Sequence, residues 1–132
     1  MMKIILSLAA ATLLSVTATA LAQDTLPEAC GAPMGHDMSG MTDTSGMSDM
    51  QKAYAEAMDK MHPAMASGTM AKDPDVAFVC GMIPHHQGAI DMAKIELQHG
   101  GDPWVKEMAQ KVIDAQTQEI ADMLKWLHEH AK

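Results

Sequence analysis

Two histidines and two methionines lie close together in one short stretch of the chain. Residues 80–92 read CGMIPHHQGAIDM and contain Met82, the adjacent His85 and His86, and Met92. On an ideal helix each residue advances by about 100°, so these four side chains fall within one arc. The arc also carries apolar residues, which predicts that it faces the interior. Thioether sulfur and imidazole nitrogen suit soft metals, so the pattern predicts a site for Cu(I), with Ag(I) or Cu(II) as alternatives.

The segment MDKMHPAM, just upstream, supplies a second group of candidate ligands. Its side chains share one arc at helical spacing and comprise Met58, Met61, His62 and Met65. A methionine stripe at this spacing is usually core packing, because methionine fills irregular gaps. His62 on the same face favours the interpretation as metal ligands from a second helix.

A third group lies in a stretch that has neither helical nor strand period. Residues 23–47 are rich in Gly, Ser, Thr, Asp and Pro, which predicts a flexible arm. The arm carries Met34, His36, Met38 and Met41. Because a flexible arm has no core to fill, we interpret these residues as a weaker outer site that captures soft metal. Compositional drift is the alternative explanation.

Three helices account for the rest of the chain, and no segment has the pattern of a strand. Ser48 and Gln51 form a candidate capping box, while Asp73-Pro74 and Asp102-Pro103 are typical helix starts. Pro63 is expected to kink or end the first helix, and Pro84 to open a turn before the histidines. The second helix is expected to end near Gln98 and the third to reach the C-terminus. Gln116 interrupts the apolar stripe of the third helix, and a facing histidine is its expected partner.

These elements predict an all-α helical bundle with antiparallel neighbours. Residues 48–132 form the predicted metal-binding domain, preceded by the arm at 23–47. Burying three apolar faces usually takes a fourth element, which the arm or a second copy could supply. A monomer and a homodimer are both open.

The first 22 residues have the pattern of a cleaved export signal. Lys3 precedes an apolar run, and the segment ends in small residues, so the predicted location is the periplasm. The net charge of −8 argues against nucleic acid and anionic membrane surfaces as partners. The chain contains 15 Met against only four aromatic residues of the Phe, Tyr and Trp types, and so many thioethers need a reason beyond packing.

The chain has two cysteines, Cys30 in the arm and Cys80 in the second helix. An even number of cysteines in an exported protein is usually paired, and Cys80 points away from the arc of Met82 and His86. A disulfide would hold the arm near the helices. The alternative is that both thiols bind copper.

Two longer runs carry a resemblance to a known family. The first is Phe78-x3-MIPHHQGAI-x-Met92-Ala93, and the second is Gln116-x2-Glu119-Ile120-x2-Met123-x2-Trp126-Leu127. They resemble exported bacterial domains whose better-understood members are CopM-like copper-binding proteins. The resemblance implies a ferritin-like bundle, copper binding by Met and His, and a role in copper tolerance. A di-iron site is disfavoured, because only one Glu-x-x-His motif occurs, at Glu96–His99.

The sequence therefore predicts a periplasmic protein that sequesters or relays Cu(I) without catalysis. Copper ion and a copper-trafficking protein are the expected partners. Two alternatives remain. One is an interaction module whose Met-rich groove docks a partner helix. The other is a copper-dependent oxidase.

Overall fold

The computed structural model describes Cys30 and residues 45–131, and these residues contain three α-helices. Helix α1 spans Asp49–Gly68, α2 spans Pro74–His99 and α3 spans Pro103–His130. The predicted all-α class is confirmed. The predicted export signal at 1–22 and most of the predicted arm lie outside the described residues. Within the described part, no helix combines the length and apolar character needed to cross a membrane.

The predicted N-termini of the helices are confirmed by their capping bonds. The Ser48 hydroxyl accepts from the Gln51 backbone N–H while the Gln51 side chain accepts from the Ser48 N–H, which completes the capping box. Asp73 and Asp102 each accept two backbone N–H bonds at the starts of α2 and α3, and Pro follows both. These bonds satisfy amide groups that a helix start otherwise leaves without partners.

Helix α2 is the central element, because it packs against both α1 and α3. Gly81 and Gly88 face α1, whereas Val76 and Ile83 join the core cluster with Leu127 of α3. Gly68 of α1 lies against Cys80, and Met61 lies against Gly88, so residue numbers rise along α2 as they fall along α1. Helices α2 and α3 are antiparallel as predicted, because Val76 and His130 border one cleft whereas His86 contacts Glu119.

The two cysteines are joined, as the sequence favours. Cys30 and Cys80 form a disulfide with a Cα–Cα distance of 5.3 Å, and both side chains are fully buried. The bond closes a loop over a sequence separation of 50 residues. Since both sulfur atoms are used, copper binding by the two thiols is excluded in this form of the protein.

Neither internal proline ends its helix. Helix α1 continues through Pro63 to Gly68, and α2 continues through Pro84 to His99. Of the two alternatives expected for Pro63, an end of α1 is wrong, because the helix continues to Gly68. Each proline removes one backbone hydrogen bond, and packing against the neighbouring helix offsets that loss. Pro84 is buried, which agrees with such packing.

Candidate metal site

Three of the four predicted ligands of α2 lie on an edge of the helix that neither neighbour fully covers. With α1 and α3 on nearly opposite sides of α2, helix geometry leaves one edge between them that carries Phe78, Met82, His85, Ala89 and Met92. We call these five residues the open edge. Each of them is at least partly exposed. The expectation that the arc of predicted α2 ligands faces the interior is met at its apolar residues Ile90 and Ala93, which are buried, and is wrong at His85, which is exposed.

His86 is the most firmly held of the candidate ligands. Its Nδ1–H donates to the Met82 carbonyl at 2.8 Å, and its Nε2 lies 2.8 Å from Oε2 of Glu119 on α3. The His86 side chain is 13% exposed. Because a carbonyl oxygen only accepts hydrogen bonds, Nδ1 must carry the proton, and Nε2 is the nitrogen that can bind a metal. The bond to Met82 thus fixes the tautomer suited to ligation at Nε2.

His85 differs from its neighbour, since its side chain is exposed. The two imidazole centroids are 5.9 Å apart with an interplanar angle of 62°. Successive helix positions are rotated by about 100°, so His86 turns towards α3 while His85 remains on the open edge. The predicted burial of His85 is therefore wrong.

Met61 of α1 lies close to the candidate ligands of α2. Its sulfur lies so close to Gly88 that a Cβ added at position 88 would overlap it. Gly88 lies between the His85–His86 pair and Met92, within about 6 Å of each along the helix axis. The absence of a side chain at Gly88 therefore brings an α1 thioether to the level of the α2 candidates.

The remaining α1 candidates lie on the same side of the molecule as the open edge. A shallow groove on the other side is bordered by Ala57 and Lys60 of α1 and by Asp91 and Lys94 of α2. Helix geometry directs three candidates away from that groove, namely Met58, His62 and Met65. Met65 is half-buried, whereas Met58 is 38% exposed and His62 is exposed.

The third helix adds oxygen atoms that the ligand prediction did not include. Glu119 contacts His86, and Gln116, one turn earlier on α3, has a buried Oε1 without a hydrogen-bond partner. The expected bond between Gln116 and a histidine is wrong, because both His86 nitrogens have other partners. The sequence signal for these oxygen atoms was the spacing Gln116-x2-Glu119, which lies in the second of the two runs that resemble the known family.

In the described ranges, no three or more His, Cys, Asp or Glu side chains group in a way that could hold a metal ion. A protein site here must therefore draw on thioether sulfur or on amide oxygen as well.

The larger cleft, about 550 Å³, lies elsewhere, between the start of α2 and the end of α3. Its border includes Trp126 stacked on His130, with ring centroids 4.7 Å apart. The arm candidates Met34, His36, Met38 and Met41 lie outside the described residues.

Comparison with known proteins gives a family and one relative. The family described as Domain of unknown function (DUF305) matches residues 12–127. An uncharacterized protein, L153, of Acanthamoeba polyphaga mimivirus is 40% identical over 55 residues. That match covers 42% of this chain and 36% of the viral protein. The chain thus spans about a third of the length of the viral relative.

Proposed function

The chain belongs to the DUF305 family, a domain of unknown function, and we propose from the site itself that it sequesters or relays Cu(I). The inner ligands come from α1 and α2 and comprise Met58, Met61, His62, Met65, Met82, His85, His86 and Met92. The arm residues Met34, His36, Met38 and Met41 form a weaker outer site. The protein acts by binding and has no turnover of its own. Its place of action is the periplasm, where it contributes to copper tolerance.

The contact between Met61 and Gly88 carries this proposal. It brings a sulfur atom of α1 to the level of the His85–His86 pair and Met92 on α2. An ordinary apolar contact at a helix crossing does not require histidines on the adjoining edge. The resemblance of the MIPHHQGAI run to CopM-like copper-binding proteins agrees with the same assignment.

The ligand types favour the monovalent ion over other metals. Cu(I) is soft and prefers sulfur and imidazole to carboxylate oxygen. A thioether is neutral, so half-burying several of them carries no cost of charge desolvation. The cysteines are already joined in a disulfide and leave the thioethers as the available sulfur donors. Ag(I) has the same preference and is an equivalent probe.

Anaerobic titration with Cu(I) against a competing chelator tests the proposal. The double variant His85→Ala/His86→Ala removes the imidazoles beside Met61 and is expected to lower the apparent Cu(I) affinity by at least about 10-fold. The matched control is His99→Ala/His128→Ala, which removes two exposed histidines near the ends of α2 and α3. Equal uptake by both double variants would refute the inner site.

A second candidate function is supported by the exposed apolar side chains. Met58, Phe78 and Met108 are 38%, 65% and 44% exposed, and such surfaces suit the docking of a partner helix. In this alternative the metal is incidental. Copper loading that leaves all partner binding unchanged, together with weak Cu(I) uptake, would favour the docking function. Turnover of a cuprous or phenolic substrate by the copper-loaded protein would instead favour an oxidase.

A further inference from the structure

Two hydrogen-bond acceptors face each other between α2 and α3. The Nδ1 of His86 donates to the Met82 carbonyl, so in the neutral ring Nε2 presents a lone pair. The carboxylate Oε2 of Glu119 lies 2.8 Å from that lone pair. A lone pair and a carboxylate repel at this distance unless a cation lies between them or beside both. A proton is one such cation, and a metal ion is another.

The spacing also fits two neighbouring ligands on one divalent ion. First-row divalent metals bind imidazole nitrogen and carboxylate oxygen at about 2.0 to 2.2 Å, as zinc does. Two such bonds at a right angle separate the ligand atoms by about 2.8 to 3.0 Å, and right angles are typical of the tetragonal Cu(II) geometry. The observed separation between Nε2 and Oε2 is 2.8 Å. Metal insertion here thus needs little movement of either side chain.

A buried oxygen one helical turn away points to the same conclusion. Oε1 of Gln116 is buried and makes no hydrogen bond within the described part of the protein. Such a group is costly unless something donates to it. Gln116 and Glu119 are three residues apart and share a face of α3. A water molecule bound to the metal would supply the missing donor.

We propose that His86 and Glu119, with Gln116 beside them, form a Cu(II) site between α2 and α3. Glu119 and Gln116 of α3 distinguish this site from the thioether site on the α1 side, and His86 is common to both sites. The proposal rests on the proposed function only in taking copper as the metal. Carboxylate, amide and water oxygens suit Cu(II), whereas the methionines suit Cu(I). The protein would therefore accept either oxidation state, each on its own side of α2.

Electron paramagnetic resonance with substoichiometric Cu(II) tests this site. Glycine as a weak competitor removes Cu(II) from single exposed histidines. We expect Glu119→Gln to lower the apparent Cu(II) affinity by about 10- to 100-fold and to change the copper spectrum. Glu107→Gln is the control, because Glu107 is exposed and lies 12 residues, about 18 Å, before Glu119 on α3. His86→Asn should lose the same signal.

The same variants are titrated with Cu(I) under anaerobic conditions. Loss of Cu(II) binding in Glu119→Gln with less than about threefold change for Cu(I) supports the separate site. Failure of Cu(I) binding in the unmodified protein, with the Cu(II) result intact, would refute the thioether site and leave this one standing. An identical Cu(II) spectrum and affinity in Glu119→Gln and Glu107→Gln would overturn the proposal. Circular dichroism and the Tm of each variant show whether the helices are intact.

Discussion

At the scale of single residues, His86 is defined by the contacts of its two ring nitrogens. The bond from Nδ1 to the Met82 carbonyl orients the ring and leaves Nε2 for a metal. His85, the next side chain, is exposed and has the more accessible ring. Two identical residue types at adjacent positions thus differ in environment, because the rotation of about 100° between successive helix positions directs them to different neighbours.

A substitution at Met61 can separate the contribution of its sulfur atom to Cu(I) binding from the contribution of its side-chain volume to stability. Replacing Met61 by Leu keeps a similar apolar side chain and should change stability by less than about 1.5 kcal/mol. It removes the thioether beside Gly88, so we expect the Cu(I) affinity to fall by about 10-fold. The measurement is chelator competition without oxygen. Met70→Leu is the control, since Met70 is 66% exposed and lies in the connection after α1.

Gln116 is expected to lower the stability of the metal-free protein, although it lies beside the proposed Cu(II) site. Its Oε1 is buried without a partner, so Gln116→Met is expected to raise the free energy of unfolding by about 1 kcal/mol. Urea denaturation of the metal-free protein measures this gain. Gln110→Met is the control, because Gln110 is exposed and donates to Asp114. A loss of stability in Gln116→Met would show that the amide has a partner when the protein is in water.

At the scale of helices, substitutions at two glycines distinguish an effect on helix packing from an effect on the position of the Met61 sulfur. A Cβ at Gly68 would meet the backbone of Cys80 and Gly81, which cannot yield easily. A Cβ at Gly88 would meet the flexible side chain of Met61. We therefore expect Gly68→Ala to cost about 1 to 3 kcal/mol of stability and Gly88→Ala to cost less.

Gly68→Ala is expected to lose more stability, but Gly88→Ala is expected to lose more Cu(I) affinity. Gly88→Ala displaces the Met61 sulfur and should weaken Cu(I) binding more than Gly68→Ala does. Thermal unfolding and chelator competition on both proteins check the two orders. Gly101→Ala serves as the control, because nothing lies within 4 Å of its added Cβ. Equal affinity in the Gly88 and Gly101 variants would argue against Met61 as a ligand.

The helices could be predicted from the sequence because their starts are encoded locally. Asp73-Pro74 and Asp102-Pro103 place an N-cap before a proline, and both starts agree with the structure. The burial of α2 could not be predicted in the same way. A single periodic face was expected, but α2 lies between two helices and buries Ile83 and Gly88 on opposite sides. Which side of a helix each neighbour occupies depends on tertiary packing.

Prediction of the candidate site from sequence is limited in the same way by its dependence on tertiary packing. Residue types and spacing identified the histidine pair and the methionines, whose contribution as ligands stays a prediction. The contact of Glu119 with His86 joins residues 33 positions apart, and no local pattern specifies that pairing. The disulfide was easier to predict, because the chain has only two cysteines.

At the scale of the whole molecule, the disulfide joins the N-terminal part of the chain to the central helix. A closed loop of 50 residues is worth about 4 kcal/mol by the chain-entropy relation. Reduction, or the variant Cys30→Ser/Cys80→Ser, should lower the free energy of unfolding by up to about that amount. Urea denaturation with and without a reductant measures the difference. A loss below about 1 kcal/mol would show that the bond contributes little to stability.

In the part of the chain that the structure describes, helix α2 has a neighbour on three of its four sides. Helices α1 and α3 cover two sides, and Cys30 lies against the third at the level of Cys80. The open edge is the fourth. We therefore propose that a protein that donates or receives copper docks over Phe78 and His85. A bulky label attached at position 78 should slow transfer between proteins, whereas the same label at position 94, on the opposite edge, should leave the rate unchanged.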